Sequence, residues 1–481
     1  MKILHITPEI APWSKAGGLG DATAALAKNL AALGHEVCVA TPLYGSVPGR
    51  EQMGTLLETL KVGVGGDAAK AACRVRRLAL APSAEAWFIE HEDYYGAREV
   101  YPAREDTAER AAFFGRAALD ACLQVGWIPD VVHCHDWTTG LVPVLLNTVL
   151  KDTPLGRCAS VLSIHNLQHQ GLLTRRILPF LRLPEWLYKP EELECLGGVN
   201  FLKGGILHAT RIVTVSPTYA REILTPEFGF GLEDVVQRRH ARLDGILNGV
   251  DLDEWDASRD KHLVRTFTAH DLAGKQACKD DLQKEFNLAA APKLPLVGVI
   301  SRLWDQKGLD LAVQALPKFL RAGRLRFVLL GSGDAALEQE YRRLADNFPG
   351  AVGVRVGYDH ALSHRIEAGC DFFLMPSRFE PCGLNQMYSM AYGTLPIVRA
   401  TGGLADTVQP WVPGKDQGTG IVFRDADVGA VEWALGQALD LYARPSEFAA
   451  VRARAMAQTF SWRQAAETHV TCYRQALSDR A

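Results

Sequence analysis

The run Ile3-Leu4-His5-Ile6-Thr7, the loop Lys15-Ala16-Gly17-Gly18-Leu19-Gly20-Asp21 and the recurrence of Ala22, Leu26, Leu30 and Leu33 up to Gly34 decide the fold. A short apolar run of this kind reads as a buried strand. Apolar residues returning every three or four positions read as a helix, and Gly34 supplies a stop. A strand, a glycine-rich loop and a helix in that order form the repeating unit of sheets whose strands run parallel under helical cover.

Working outward, the same alternation continues. Strands are predicted at 36–41, 86–89, 131–134, 160–164 and 211–215, with a helix between 106 and 125 carrying Phe113, Ala117, Ala121 and Cys122 on one stripe. The stretch 248–260, with Gly249, four aspartates and no apolar periodicity, reads as a hinge. Beyond it the pattern restarts, with strands at 296–301, 326–330, 352–356, 371–375 and 395–398 and helices near 308–320, 336–347, 360–368 and 384–392. Past Asp427 the chain reads as helical. A last helix at about 461–479, marked by Trp462, Ala466, His469, Tyr473 and Leu477, is expected to pack back on the first domain. The expectation is therefore an α/β protein of two Rossmann-like domains, 1–247 and 248–481, with the Gly/Ala-rich stretch 62–72 as a surface loop.

Composition limits the partners. The 481 residues carry 52 Lys+Arg against 55 Asp+Glu, a net charge of −3, with 48% hydrophobic and 22% charged residues. That is an ordinary globular balance, long enough for two or three domains. Without a cationic block, neither nucleic acid nor an anionic membrane is the expected partner. The ten cysteines are scattered, with no C-x-x-C pair, which fits a reducing compartment. The apolar start is too short for a signal-peptide core, and no run reaches the ~20 residues of a membrane span. A cytoplasmic location is expected.

Five segments carry chemistry, each at the end of a predicted strand, where open α/β sheets bind ligands. Lys15 through Asp21 fits neither the G-x-G-x-x-G nor the P-loop spacing, so it is a structural turn or, with Lys15 beside the glycines, a phosphate contact. His133-Cys134-His135-Asp136-Trp137 and Ser163-Ile164-His165-Asn166 close neighbouring strands. His133 and His135 share a face, but no further His/Asp cluster accompanies them in sequence, so no metal site is expected. Arg302 and Lys307 flank a strand end and a helix start, an arrangement of cations that suits a diphosphate. In Ser377-Arg378-Phe379-Glu380-Pro381-Cys382-Gly383-Leu384, Pro381 and Gly383 fix an unusual backbone and Glu380 can bind sugar hydroxyls. Cys382 reads as a small packing residue or an incidentally reactive thiol. Gly402-Gly403-Leu404-Ala405-Asp406 adds another turn.

Taken together, Lys-x-Gly-Gly-Leu-Gly-Asp, His-x-His-Asp-Trp, Ile-His-Asn, Asn248-Gly249-Val250-Asp251, Ser301-Arg302-Leu303 with Gln306-Lys307-Gly308, Glu380-Pro381-Cys382-Gly383-Leu384, and Tyr392-Gly393-Thr394-Leu395-Pro396 through Thr407 closely resemble the family of bacterial glycogen synthases and plant starch synthases. The resemblance runs from the first residues to the last helix. It implies the GT-B fold, two Rossmann-like domains facing across a central cleft, and transfer of glucose from ADP-glucose to the non-reducing end of an α-1,4-glucan with retention of configuration, with no metal or cofactor. By the same resemblance Lys15, Gly17, Gly18, Arg302, Lys307 and the helix start at Gly383-Leu384 meet the diphosphate. Glu380 binds the donor glucose near its 3-hydroxyl, and His165 lies near its 6-hydroxyl. Asp136 and Asp21 shape the sugar and acceptor side, Tyr358 packs on the adenine, and Asn248 and Cys382 complete the binding residues. Retention is ascribed to a front-face reaction in which the departing phosphate helps deprotonate the incoming 4-hydroxyl. Thr138 and Asn385 stand where many bacterial members carry His and Thr, and Tyr388 stands where many related transferases carry a second Glu. Two other readings remain: a GT-B transferase with another donor such as UDP-glucose, and a catalytically silent glucan-binding protein.

Overall fold

Every strand expected from an apolar run forms, and the β-branched and leucine-rich segments occupy the centres of two largely parallel sheets. The computed structural model describes residues 1–67, 71–97, 99–102, 104–251 and 254–480. The chain divides into two compact units, Met1–Gly249 with Trp462–Ala481, and Val250–Ser461.

The first unit holds a nine-stranded sheet built from β1 (Lys2–Ile6), β2 (Glu36–Pro42), β3 (Gly54–Lys61), β4 (Ala72–Ala81), β5 (Ala84–Glu90), β6 (Val131–His135) and β7 (Ala159–Ile164). A small separate sheet follows, of β8 (Leu172–Leu173), β9 (Glu194–Cys195) and β10 (Gly198–Asn200), and β11 (Arg211–Thr214) and β12 (Leu243–Gly245) then complete the large one. The order β12-β11-β7-β6-β1-β2-β5-β4-β3 is parallel from β12 to β5 and closes with an antiparallel meander. Because β1 has β2 on one side and β6 on the other, the direction of winding reverses there. Such a reversal opens a crevice at the carboxyl ends of the strands. The helix Gly18–Ala32 covers the sheet, and the final helix Trp462–Arg480 packs against it and against β7. Polar ties fix that last helix: Arg480 donates to Asn147 Oδ1 (2.8 Å) and to the Gly156 carbonyl (2.6 Å).

Three details differ from the sequence reading. The helix Thr107–Val125 is buried on nearly all sides rather than along one stripe, and it carries inside it the ion pair Arg116–Asp120 (2.9 Å). Asp120 also accepts the Gly63 N–H (2.7 Å), and Val62 and Val64 are buried. The start of the expected surface loop at 62–72 is therefore packed, while its residues 68–70 lie outside the described residues. The edge strand β3 and its neighbour β4 were not expected, because this pair is only half covered and its alternation is irregular.

The second unit holds six parallel strands, β13 (Leu296–Leu303), β14 (Arg326–Gly333), β15 (Val352–Val356), β16 (Phe372–Met375), β17 (Leu395–Arg399) and β18 (Ile421–Phe423), in the order β15-β14-β13-β16-β17-β18. Counted within the unit this is 3-2-1-4-5-6, the Rossmann order, with the reversal between β13 and β16. Its core gathers Val297, Val299, Phe327, Leu329, Phe373 and Ile397, all nearly inaccessible. The chain enters and leaves this unit side by side: Val250 bridges to Ser461 and donates its N–H to the Phe460 carbonyl (2.7 Å). The hinge expected at 248–260 thus contains the boundary, with residues 252–253 outside the described ones.

Candidate active site

In the first unit the reversal brings the ends of β1, β6 and β7 together. The glycine-rich loop after β1 is organised by a residue the sequence reading missed: Glu9 Oε2 accepts the N–H groups of Ala16 (2.7 Å) and Gly17 (2.9 Å), and Tyr101 donates to Oε1 (2.7 Å). Glu9 is 2% exposed. Lys15 pairs with Asp21 at 2.7 Å, and Gly17 precedes the helix that Gly18 opens. The Gly17 N–H assigned to phosphate is therefore already engaged by a carboxylate. Nothing in the motif announces Glu9, since its partners are backbone atoms.

Asp136, just past β6, has φ +57°, a region that a residue with a side chain rarely adopts and that costs about 1–3 kcal/mol. Two contacts hold it there: its N–H donates to the Ser163 carbonyl (2.9 Å), and Oδ1 accepts the His165 N–H at 2.7 Å. Burial pushes the Asp136 carboxyl up to about 7, against the pull of the N–H groups of His165 and Asn166.

Behind Asp136 lies a cluster of imidazoles. His5 pairs with His133 across β1 and β6, His133 and His135 stack with centroids 4.3 Å apart, and His165 and His469 join from β7 and the last helix. No His/Asp cluster accompanies His133 and His135 in sequence; strand pairing gathers histidines that are remote along the chain. Hydrogen bonds link His5 Nδ1 to His135 Nε2 (3.0 Å) and His135 Nδ1 to His165 Nε2 (3.0 Å). His133 meets Tyr473 (2.8 Å) and Ser163 (2.7 Å). Although His5, His133 and His135 lie at metal-binding distances, these bonds occupy both nitrogens of His133 and His135 and Nδ1 of His5, leaving His5 Nε2 alone of the six without a partner. Burial lowers His5 and His165 to about 3 and His469 to about 4, so these imidazoles are neutral. His135, His165, Asn248, Trp462 and His469 line a pocket in this unit.

In the second unit the corresponding reversal carries Lys307 and Glu380. Lys307 Nζ lies 2.6 Å from Glu380 Oε2, and Ser377 donates to the same oxygen (3.0 Å). Glu380 is 6% exposed. The turn bearing Lys307 can approach because Gly308 has φ +61° and a Cβ there would fall 2.0 Å from the Pro376 carbonyl. Arg302 is exposed at the end of β13, and Tyr358 is 73% exposed with its hydroxyl 3.3 Å from His360 Nδ1. Cys382 is buried, Gly383 has φ +69°, and Leu384 precedes the helix Asn385–Ala391. Asn385 Nδ2 ties that helix to the Ile300 carbonyl (2.8 Å), and Tyr388 stacks on Trp255 with centroids 4.0 Å apart. Of the sequence-assigned residues, Lys15, Gly17, Gly18, Asp21, Asp136, His165 and Asn248 lie in the first unit and the others in the second.

Two Rossmann-like units, each with a crevice at the reversal of its sheet, one holding a buried carboxylate joined to a lysine and the other a buried aspartate beside neutral imidazoles, agree with the GT-B class of glycosyltransferases. The comparisons narrow this. A model described as the starch synthase catalytic domain matches residues 2–238, and one for glycosyl transferases group 1 matches 280–452. A glycogen synthase from Anaeromyxobacter sp. is 45% identical over 98% of this chain and 99% of its own, and one from Koribacter versatilis is 42% identical over 100% and 99%. The catalytic domain of starch synthase IV from Arabidopsis thaliana, bound to ADP and acarbose, superposes with a TM-score of 0.91 at 33% identity, covering 99% of each chain. The chain belongs to the family of bacterial glycogen synthases and starch synthases. Among the described residues no helix is long and apolar enough to cross a membrane.

Proposed function

We propose that this chain transfers glucose from ADP-glucose to the non-reducing end of an α-1,4-glucan, elongating glycogen with retention of the α configuration. The observation that carries the reading is the Lys307–Glu380 pair at the reversal between β13 and β16, where a phosphate-binding cation and a hydroxyl-binding carboxylate share one oxygen contact. In the proposed reaction Lys307 and Arg302 face the diphosphate and oppose the negative charge that grows on it as the glycosidic bond breaks. Glu380, held by Ser377, accepts hydroxyl hydrogens of the donor glucose. On the other unit His165, whose Nε2 is bound to His135, meets the sugar through Nδ1 as a neutral group, and its carbonyl supports the oxocarbenium-like centre. Asp136 positions His165 through its backbone N–H. Lys15, Asp21, Gly18 and Asn248 complete the first unit's contribution, and Tyr358 offers its exposed ring to the base.

The incoming 4-hydroxyl attacks from the face the phosphate leaves, losing its proton to that phosphate. A cytoplasmic site of action is supported by ten free cysteines, nine of them buried. The test is incorporation of labelled glucose into glycogen from ADP-glucose and from UDP-glucose, side by side. Strong incorporation from ADP-glucose alone, into amylase-sensitive chains, is expected. Incorporation mainly from UDP-glucose overturns the donor assignment, and none from either, in folded protein, favours a glucan-binding role.

A further inference from the structure

A second group of histidines lies in the second unit, away from the Lys307–Glu380 pair in sequence and using none of its residues. His360 and His364 stand four positions apart on the helix His360–Gly369, so they share one of its faces. His262 approaches from the segment that follows the unit boundary. One nitrogen from each of the three lies within 4.8 Å of the others.

Asp260 prepares this group. Its Oδ2 accepts from His364 Nδ1 (2.7 Å) and from the Tyr392 hydroxyl (2.7 Å), while Oδ1 accepts the His262 N–H (2.8 Å). In the neutral form whose Nδ1 donates to the carboxylate, His364 has its lone pair on Nε2. That atom is buried and has no partner, in a residue only 1% exposed. Trp255 lies flat on the same ring, with centroids 3.9 Å apart and planes 7° from parallel, which fixes the direction of Nε2.

A carboxylate that orients a histidine by taking its other proton is the usual outer arrangement of a metal-binding imidazole. His360 contributes through contacts long enough to exchange: Nε2 is 3.2 Å from Glu254 and Nδ1 is 3.3 Å from Tyr358. Tetrahedral zinc with bonds near 2.0–2.1 Å needs nitrogens about 3.4 Å apart, which small rotations of the two more exposed rings can provide. The carboxylates of Asp260 and Glu254 supply the negative charge that three neutral imidazoles lack.

We propose that His262, His360 and His364 form a binding site for a divalent transition ion of the zinc type, oriented by Asp260. Bound there, the ion pins the segment after the unit boundary to the helix that begins beside Tyr358. It takes no part in the transfer chemistry.

The test uses the full chain, stripped with a chelator and titrated with Co²⁺ and then Zn²⁺. The wild type is expected to bind one equivalent, to show the visible band of tetrahedral Co²⁺ that Zn²⁺ abolishes, and to melt at a higher temperature with Zn²⁺. His262→Ala and His360→Ala, at part-exposed positions where the metal-free fold should persist, are each expected to weaken binding more than about tenfold and to lose the thermal shift. The exposed control His270→Ala should bind as wild type. Absence of a stoichiometric Co²⁺ spectrum in the wild type, or an unchanged affinity in both variants, overturns the site. Neither readout depends on glucosyl transfer, so the proposal stands or falls separately from the activity.

Discussion

Lys307 Nζ and Glu380 Oε2 are 2.6 Å apart across the reversal of the second sheet, although 73 residues separate them in sequence. Because they are in contact, in the proposed reaction a phosphate that draws on Lys307 also alters the charge felt by Glu380, which couples recognition of the diphosphate to that of the sugar. Loss of one preorganised charge of this kind costs about 10²–10³ in turnover. Glu380→Gln, which keeps the side chain's shape, should therefore lower kcat by that order with a melting temperature near wild type. Lys307→Ala should lower kcat similarly and also destabilise, since it strands a buried carboxylate. Steady-state kinetics with calorimetry checks both, and near-normal turnover in the two variants removes the site assignment.

The Glu9 carboxylate accepts both the Ala16 and the Gly17 N–H groups. Glu9→Ala leaves these donors unpaired and releases Tyr101 as well. The glycine-rich loop should become mobile, seen as faster amide exchange at 15–18. Donor KM should rise more than kcat falls, because in the proposed reaction the loop binds the donor and does not itself react. Unchanged exchange in the variant would show that the helix start alone orders the loop.

How much of this was legible depends on the range of the interaction. Strands such as β1, β13 and β16 announce themselves because consecutive residues bear the signal, and the candidate site residues could be singled out because they lie near strand ends. Glu9, Tyr101 and the grouping of His5 with His133, His135, His165 and His469 were not legible. Their partners are backbone N–H groups or side chains up to 464 positions away, brought together by strand order that no local pattern encodes. The edge pair β3–β4 was missed for the opposite reason: half-exposed strands have little periodicity to read.

Asp136 carries a stability signature. Its folded value is raised to about 7 from 3.8, so the folded state holds a proton that the unfolded chain has released between those values. Stability from this group is complete below about pH 4 and is lost as pH rises through 7. Asp136→Asn keeps the acceptor for the His165 N–H and removes the titration. The variant's melting temperature relative to wild type should therefore climb as pH goes from 4.5 to 8. A difference independent of pH would mean that Asp136 is ionised throughout.

The histidine cluster acts in the opposite direction. His5 and His165 fall to about 3, His469 to about 4, and His133 and His135 well below their ordinary value, all chiefly by burial. Groups with depressed values stabilise fully above about pH 6.5 and lose that contribution as pH falls towards 3. Each contributes at most about 1.4 kcal/mol per pH unit, so five outweigh the single opposing carboxylate. The first unit should unfold in acid well before its carboxylates are protonated. His469→Phe should shift the acid midpoint downward, as fluorescence-monitored titration would reveal, and an unmoved midpoint would place the acid transition elsewhere.

The glycines at 402–403 offer a test that leaves every functional side chain in place. Gly402 has φ +43°, and a Cβ there would fall 1.9 Å from the Glu380 carbonyl oxygen; at Gly403 it would fall 2.0 Å from that of Cys382. The Gly403 N–H donates to the Glu380 carbonyl (3.1 Å), so this turn is the shelf on which the Glu380–Cys382 backbone rests. Backbone atoms cannot yield as a flexible side chain would, so the added methyl must displace the Glu380–Cys382 segment on which the contact with Lys307 depends. A displacement of ~1 Å at a positioned group is enough for a loss of about 10² in rate. Gly403→Ala, free of the positive-φ penalty, should thus lower kcat to a similar degree as Glu380→Gln. Combining it with Glu380→Gln should add little, because both remove the same interaction. Full additivity in the double variant would mean that the shelf acts on the reaction by some route other than Glu380.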